Sequence, residues 1–284
     1  MKVLGKVLDF VLYSNLFISV GAALAMYGTA ASFGIHLDKY FYTLLASATC
    51  AAYCLHWYFT DNIPQDRQRE QWSLANRQVL IILCSIAALV ALVVFGINFQ
   101  LHTLWCFLPL VVFTFLYSAP KLPQAIFIKL RPYVVAKTIY LTLGWWYATS
   151  LLPFLLTKQS ISPATSYLWY RFWLILAICF VFDFRDKRID LQAGIKSLLK
   201  FISHPIAIIV VQILLAFACV ALSNSYDRIG LLPIIAHALP VLALAFTLKY
   251  SFSTSNDRWY YGVLDALLFV SGIFLLLCAV LGLA

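Results

Sequence analysis

Apolar stretches long enough to cross a membrane recur along the whole chain. A helix needs about 20 consecutive apolar residues to cross the hydrocarbon core of a bilayer. Of the 284 residues, 63% are hydrophobic and 11% are charged, which is about half the charged fraction of a soluble protein. Hydropathy predicts nine spans, near 9–32, 41–60, 78–98, 101–118, 132–154, 167–184, 204–223, 230–249 and 260–283. The sequence therefore predicts an all-α integral membrane protein in which residues 1–284 form a single bundle of about nine helices.

The basic residues give an expected orientation, because Lys and Arg concentrate on the cytoplasmic side of membrane proteins. With the nine predicted spans, fifteen of them fall on the side of the N-terminus and four on the other side. Lys137 lies within the fifth span. We therefore expect a cytoplasmic N-terminus and a multi-pass location in a bacterial inner membrane. The net charge of +9 fits this orientation and anionic lipid headgroups, and it does not indicate a nucleic-acid partner.

Six of the eleven acidic residues lie in two short polar segments on the predicted cytoplasmic side. They are Asp61, Asp66 and Glu70 in the loop 60–77, and Asp183, Asp186 and Asp190 in the loop 183–200. The second trio is spaced i, i+3, i+7, which places it on one face of a helix. Asn62, Asp66 and Glu70 are spaced i, i+4, i+8 and share a face in the same way.

Two such faces over one cavity would hold a diphosphate through bridging Mg²⁺. Mg²⁺ prefers oxygen ligands and takes one or two carboxylates together with substrate phosphates and water. The alternative from spacing alone is a pair of solvated loops of mixed charge, because Arg67, Arg69, Arg185, Lys187 and Arg188 are interleaved with the acids.

Three stretches resemble motifs of the UbiA-type intramembrane prenyltransferases. Asp183-x-x-Asp186-x-x-x-Asp190, followed by Gly194-Ile195-Lys196-Ser197, is similar to the family's second aspartate-rich motif. Asn62-x-x-x-Asp66-x-x-x-Glu70 resembles the first motif, and Tyr117-Ser118-Ala119-Pro120-Lys121 resembles the family's Tyr-Ser-x-Pro stretch after the fourth helix. The first motif departs from the family, since Ile63 and Glu70 stand where the family usually has Asp and Pro64 lies inside the motif.

The resemblance implies Mg²⁺-dependent transfer of a prenyl group from a polyprenyl diphosphate to a lipophilic, aromatic acceptor, as in quinone or related isoprenoid biosynthesis. Ionisation of the allylic C–O bond leaves a carbocation, and the acceptor attacks it. The resemblance gives catalytic roles to Asp66, Asp183 and Asp186. It implies metal binding by Asn62, Asp66, Glu70, Asp183, Asp186 and Asp190, and substrate binding by Asn62, Tyr117, Lys121, Lys129, Arg131 and Lys137.

Polar residues inside the predicted spans are further candidates, because ionisable groups in a membrane are usually functional. Lys137 lies about one turn into its helix, within reach of the cytoplasmic cavity. Asp265 is expected to pair with a basic group or to bind the acceptor. For His56 and His237 we expect interhelical hydrogen bonds rather than catalysis. Asn15, in the first span, is a weaker candidate for substrate contact.

Two other functions stay open from the sequence. A transporter of solutes or lipids would use the charged loops structurally, and inverted repeats with broken helices would favour it. The sequence offers only Pro109, Pro233 and Pro240 as breakers and shows no convincing repeat. The degenerate first motif also leaves open a catalytically inactive homologue that binds isoprenoids.

Overall fold

A computed structural model describes residues 2–59, 67–118, 137–192 and 198–283, and all regular structure within these ranges is helical. The helices are α1 (Lys2–Tyr13), α2 (Leu16–Ser32), α3 (Lys39–Tyr58), α4 (Gln68–Ala75), α5 (Arg77–Ile97), α6 (Leu101–Ser118), α7 (Lys137–Thr157), α8 (Thr165–Gln192), α9 (His204–Ser223), α10 (Leu231–Ser253) and α11 (Val270–Val280). Short turns lie at Ser162–Ala164, Leu198–Phe201 and Tyr226–Ile229. A π-helical segment, Trp259–Leu264, precedes α11, and we call residues 259–280 the C-terminal stretch.

The predicted class is confirmed: the chain is a helical integral membrane protein. In the described ranges, five helices are long and apolar enough to cross a membrane: α5, α7, α9, α10 and Ser162–Lys187, which joins the turn Ser162–Ala164 to most of α8. A sixth span results if α1 and α2 cross together as a bent pair. The count of nine spans and the cytoplasmic N-terminus stay predictions.

The first predicted span is bent rather than continuous. Helices α1 and α2 meet at an angle of 57°. Between them Asn15 has a φ of 68°, in the left-handed region. Asn is one of the few residues other than Gly that visits this region routinely, since its short side chain bonds locally. The bend turns α1 away from the axis of α2.

The second acidic segment is an extension of a helix rather than a loop. Helix α8 continues to Gln192, so the backbone positions 183, 186 and 190 share one helical face as their spacing predicts. Of the first acidic segment, the described part begins at Arg67 and forms α4.

Burial is uneven across the bundle. Helix α8 lies at its centre, where Tyr167, Leu174 and Val181 are fully buried. Helix α5 is the opposite case, because Leu80 and Ala87 are its only buried residues and it packs mainly against α3. The cavities described below are accordingly formed by helices around α8.

Two glycines let the N-terminal and C-terminal parts of the chain approach closely. A Cβ atom built on Gly272 would lie 1.9 Å from the carbonyl oxygen of Leu24, and one built on Gly28 would lie 3.0 Å from the Cα of Gly272. Small residues permit this approach between membrane helices. The contact places the C-terminal stretch directly beside α2.

Candidate functional site

A small charged chamber of about 100 Å³ lies between α2, α3, α7, α8 and the C-terminal stretch. Four charged residues line it: Lys137, Asp183, Asp186 and Asp265. An apolar cavity of about 420 Å³, formed mainly by α3, α6 and α7, adjoins the chamber. The two spaces share the walls Tyr53, His56, Tyr117, Leu141 and Trp145. A polar group in the chamber would therefore have an apolar space beside it.

Asp183 is held by the first turn of α7. Its carboxylate is buried and accepts a hydrogen bond from the Thr138 hydroxyl. The ammonium Nζ of Lys137 lies 3.5 Å from the other carboxylate oxygen, Oδ1. Lys137 lines the chamber as the counter-ion of Asp183, and its role in substrate binding stays a prediction.

Asp186 is paired with two arginines. Its Oδ1 lies 2.5 Å from Nη1 of Arg67 and 2.9 Å from Nε of Arg185. Arg67 also donates a hydrogen bond of 3.1 Å to the carbonyl oxygen of Arg185. Both described carboxylates of the second motif thus have side-chain cations beside them, which relieves the repulsion expected between acids on one helical face.

Asp257 links this pair to two other parts of the chain. Arg185 Nη1 donates to Asp257 Oδ1 at 3.1 Å, and its Nη2 donates to the Tyr261 hydroxyl at 3.0 Å. The other oxygen of Asp257 accepts a hydrogen bond of 2.8 Å from the backbone N–H of Arg69. The guanidinium of Arg185 also lies 4.0 Å from the ring centroid of Tyr260, a cation–π contact. Helices α4 and α8 are therefore tied to the C-terminal stretch.

Arg69 fixes the bend between α1 and α2. It is 1% exposed, and it donates hydrogen bonds to the carbonyl oxygen of Leu12 at 3.0 Å and to Oδ1 of Asn15 at 2.5 Å. Its guanidinium lies 4.4 Å from the ring centroid of Trp57 and 5.0 Å from that of Tyr261. Burial lowers the pKa of Arg69 to about 10, so the group stays charged at neutral pH.

The sequence interpretation did not assign three arginines to the candidate site. In the sequence, Arg67, Arg69 and Arg185 favoured the alternative of solvated loops. In the structure, the side chains of Arg69 and Arg185 are buried. Their positions could have indicated a role in the site. The three arginines lie among the acids of the two motifs, in a chain of which only 11% is charged.

The whole architecture is similar to solved membrane proteins. A UbiA homologue from Archaeoglobus fulgidus, in a structure bound to GPP and Mg²⁺, matches over 94% of this chain and 99% of its own, with a TM-score of 0.59 and 15% identity. This chain has the UbiA fold. A digeranylgeranylglyceryl phosphate synthase matches over 98% of this chain and 99% of its own, with a TM-score of 0.55 and 13% identity. By sequence alone, no family model and no curated protein matches the chain.

Several predicted site residues can be placed within this UbiA fold. Tyr117 lies in the wall common to the two cavities and stacks on His56, with ring centroids 4.8 Å apart. Glu70 is buried in α4 and does not line the chamber. The predicted interhelical bond of His237 is confirmed, since its Nε2 lies 2.9 Å from the Ser32 hydroxyl. Asn15 lines the chamber.

Other predicted residues of the UbiA motifs lie outside the described part. These are Asn62, Asp66, Lys121, Lys129 and Arg131, and for Asp190 the structure describes only the backbone. Their assignment to metal or substrate binding stays a prediction.

The donor set of the chamber fits Mg²⁺ that is shared with phosphate oxygens. Asp183 and Asp186 present carboxylates from adjacent turns of α8 to one space. In the described ranges, no group of three or more His, Cys, Asp or Glu side chains could hold a metal ion. Two carboxylates suffice when a diphosphate supplies further oxygens, as is usual for Mg²⁺.

Proposed function

We propose that this chain is a divergent UbiA-type prenyltransferase. It would transfer the prenyl group of a polyprenyl diphosphate, in the presence of Mg²⁺, to a lipophilic acceptor within the membrane. The observation that carries the proposal is the shared wall between a charged chamber and an apolar cavity. A prenyl diphosphate has the same division, with an anionic head and an apolar tail.

The diphosphate head of the substrate would bind in the chamber, which contains carboxylates for a metal ion and a cation for the phosphates. Asp183 and Asp186 would hold Mg²⁺, which neutralises negative charge on the diphosphate. When the carboxylates are so engaged, Lys137 is released from its 3.5 Å contact with Asp183 and becomes available to the diphosphate. Arg67 would be released from Asp186 in the same way. Fixed cations at the leaving group stabilise the charge that develops as the C–O bond breaks.

The prenyl tail would occupy the apolar cavity, and the reacting allylic carbon would lie beside aromatic rings. Tyr53, Tyr117 and Trp145 stand where the chamber meets the cavity. An allylic carbocation formed there would face ring systems that stabilise positive charge through their quadrupoles. The burial of these walls would also keep water away from the cation.

The solved relatives by fold support the choice of substrate. Structures of the A. fulgidus homologue are bound to GPP and Mg²⁺ and to DMAPP and Mg²⁺. We assign the remaining motif residues the same task as in the sequence interpretation: Asn62, Asp66 and Asp190 toward the metal, and Tyr117, Lys121, Lys129 and Arg131 toward the substrate. Glu70 is left out of this set, because it does not line the chamber.

The test is binding of labelled GPP to the protein in lipid nanodiscs, with Mg²⁺ or with EDTA. We expect binding to require Mg²⁺ and to weaken at least tenfold in Asp183→Asn, because that variant removes a charged metal ligand. Asp227→Asn is the matched control, since Asp227 is exposed in the turn Tyr226–Ile229. GPP binding that ignores both EDTA and Asp183→Asn would contradict the proposal. Mg²⁺-dependent binding without release of diphosphate in the presence of acceptors would instead identify an inactive homologue.

A further inference from the structure

We propose that Asp265 binds the hydroxyl group of the prenyl acceptor and takes up its proton when the new bond forms. The inference rests on the proposed function and extends it to the acceptor. Asp265 belongs to neither aspartate-rich motif, and it reaches the chamber from a different helix.

The C-terminal stretch presents one face to the chamber. Tyr261, Asp265 and Leu268 are spaced i, i+4, i+7, and all three line it. Asp265 directly follows the π-helical segment Trp259–Leu264, a kind of irregularity that is frequent at functional sites. Arg171 donates a hydrogen bond of 3.1 Å to the carbonyl oxygen of Leu268, which fixes the backbone of this face.

Within the described part of the chain, Asp265 differs from the neighbouring acids in forming no hydrogen bond or ion pair, although Arg69 and Arg185 attract it electrostatically. Asp183, Asp186 and Asp257 each bind a cation, whereas Asp265 makes no hydrogen bond or ion pair with any other residue that the structure describes. The two nearest arginines are engaged elsewhere. Arg69 donates to Leu12 and Asn15, and Arg185 donates to Asp186, Asp257 and Tyr261.

A partly buried carboxylate without a partner is costly to the fold, which indicates that its partner is a ligand. An ionised carboxylate, the form that takes up a proton, only accepts hydrogen bonds. The ligand must therefore donate one, and the adjoining apolar cavity requires it to be lipophilic. A phenol or another apolar molecule with a hydroxyl group fits both conditions.

The reaction balances with Asp265 in this role. The allylic C–O bond breaks, and its electron pair leaves with the diphosphate. A lone pair on the hydroxyl oxygen of the acceptor forms the new C–O bond to the allylic carbon, the O–H bond breaks, and its proton passes to the carboxylate of Asp265. If the ring carbon next to the hydroxyl attacks instead, the same proton transfer gives a dienone, which regains its aromatic ring when the ring C–H proton moves to the oxygen. The products are the prenylated acceptor, free diphosphate and a neutral Asp265, which returns its proton to water.

The first test compares 4-propylphenol with its methyl ether, 4-propylanisole, as probes that differ in one O–H donor. Their affinities are measured in nanodiscs by calorimetry. We expect the wild-type protein to prefer the phenol about tenfold, the effect of a hydrogen bond to a charged group. In Asp265→Asn and Asp265→Leu the preference should fall below about twofold, whereas Asp227→Leu should keep it. A preference that persists in both Asp265 variants, or that is missing in the wild type, would overturn the inference.

Two further measurements separate the possible failures. GPP binding in the same samples should still depend on Mg²⁺ in the Asp265 variants, and its absence in the wild type would reject the proposed function itself. The melting temperature of Asp265→Leu should equal or exceed that of the wild type, because no internal partner is lost. Asp257→Leu should melt lower, since it removes one of the two counter-ions of the buried Arg185 side chain and the acceptor of the Arg69 backbone N–H. A lower melting temperature in both Asp265 variants would show that Asp265 has a structural role and would contradict the inference.

Discussion

Arg69 lies in α4 with its guanidinium enclosed by three rings, those of Tyr13, Trp57 and Tyr261. Arg suits this place better than Lys, because its planar group both stacks on aromatic faces and donates several hydrogen bonds in fixed directions. It thereby connects the segment around the first acidic motif with the bend at Asn15.

Replacing Arg69 should cost much more stability than replacing an exposed arginine. We expect Arg69→Met to lower the free energy of unfolding by about 3 kcal/mol, because the bonds to Leu12 and Asn15 are lost in a buried site. The control is Arg258→Met, which removes the surface pair with Asp9 and should cost less than about 1 kcal/mol. Denaturation in a mild detergent measures both, and equal losses would contradict the account.

The sequence predicted that the acids of the second motif share one helical face, but it did not predict which cations pair with them. The spacing of Asp183 and Asp186 is a local property of one helix. Arg67 and Lys137 come from distant parts of the chain, and only the packing of α7 and the segment before α4 against α8 makes them neighbours. For Asp265, the sequence could not decide between a basic partner and a ligand, since that depends on where Arg69 and Arg185 direct their hydrogen bonds.

At the scale of the helix, the positions of several apolar helices were predictable and the interruptions were not. The length of an apolar stretch depends only on consecutive residues, so hydropathy predicted the bounds of α5 and α9 to within one residue. The bend before α2 depends on a hydrogen bond that Arg69 supplies from α4. The irregular backbone at 265–269 likewise depends on Arg171 from α8.

The contact between α2 and α11 should be sensitive to a single methyl group. In Gly272→Ala the Cβ would meet the backbone carbonyl of Leu24, which cannot rotate away, so we expect a loss of about 2 kcal/mol or more. Gly144→Ala is the matched control. Its Cβ would lie 3.6 Å from the Cβ of Phe113, an ordinary contact, and alanine favours the helix by about 1 kcal/mol. Thermal denaturation compares the two, and a stable Gly272→Ala would show that these helices can separate without cost.

At the scale of the whole molecule, the charge distribution predicts which way the bundle faces. Cysteines introduced at Lys6 and Lys39 should lie on opposite sides of the membrane, with Lys6→Cys in the cytoplasm. A membrane-impermeant maleimide should label Lys39→Cys on intact cells and Lys6→Cys only after permeabilisation. The unaltered chain gives the background from its own seven cysteines. The reverse labelling pattern would show that the N-terminus faces outward.

The glycine contact between α2 and α11 has a consequence for how the protein is made. Helices enter the membrane in the order of their synthesis, so α2 is in place long before α11 exists. Helices α3 and α5 are close in the sequence and can pack together early. The surface of α2 at Gly28 is covered only after Gly272 has been synthesised. Asp265 arrives on the same final segment. Synthesis therefore supplies the residues Tyr261, Asp265 and Leu268 after all other described walls of the chamber, and a nascent chain released before residue 261 would lack both the contact at Gly272 and the carboxylate assigned to the acceptor.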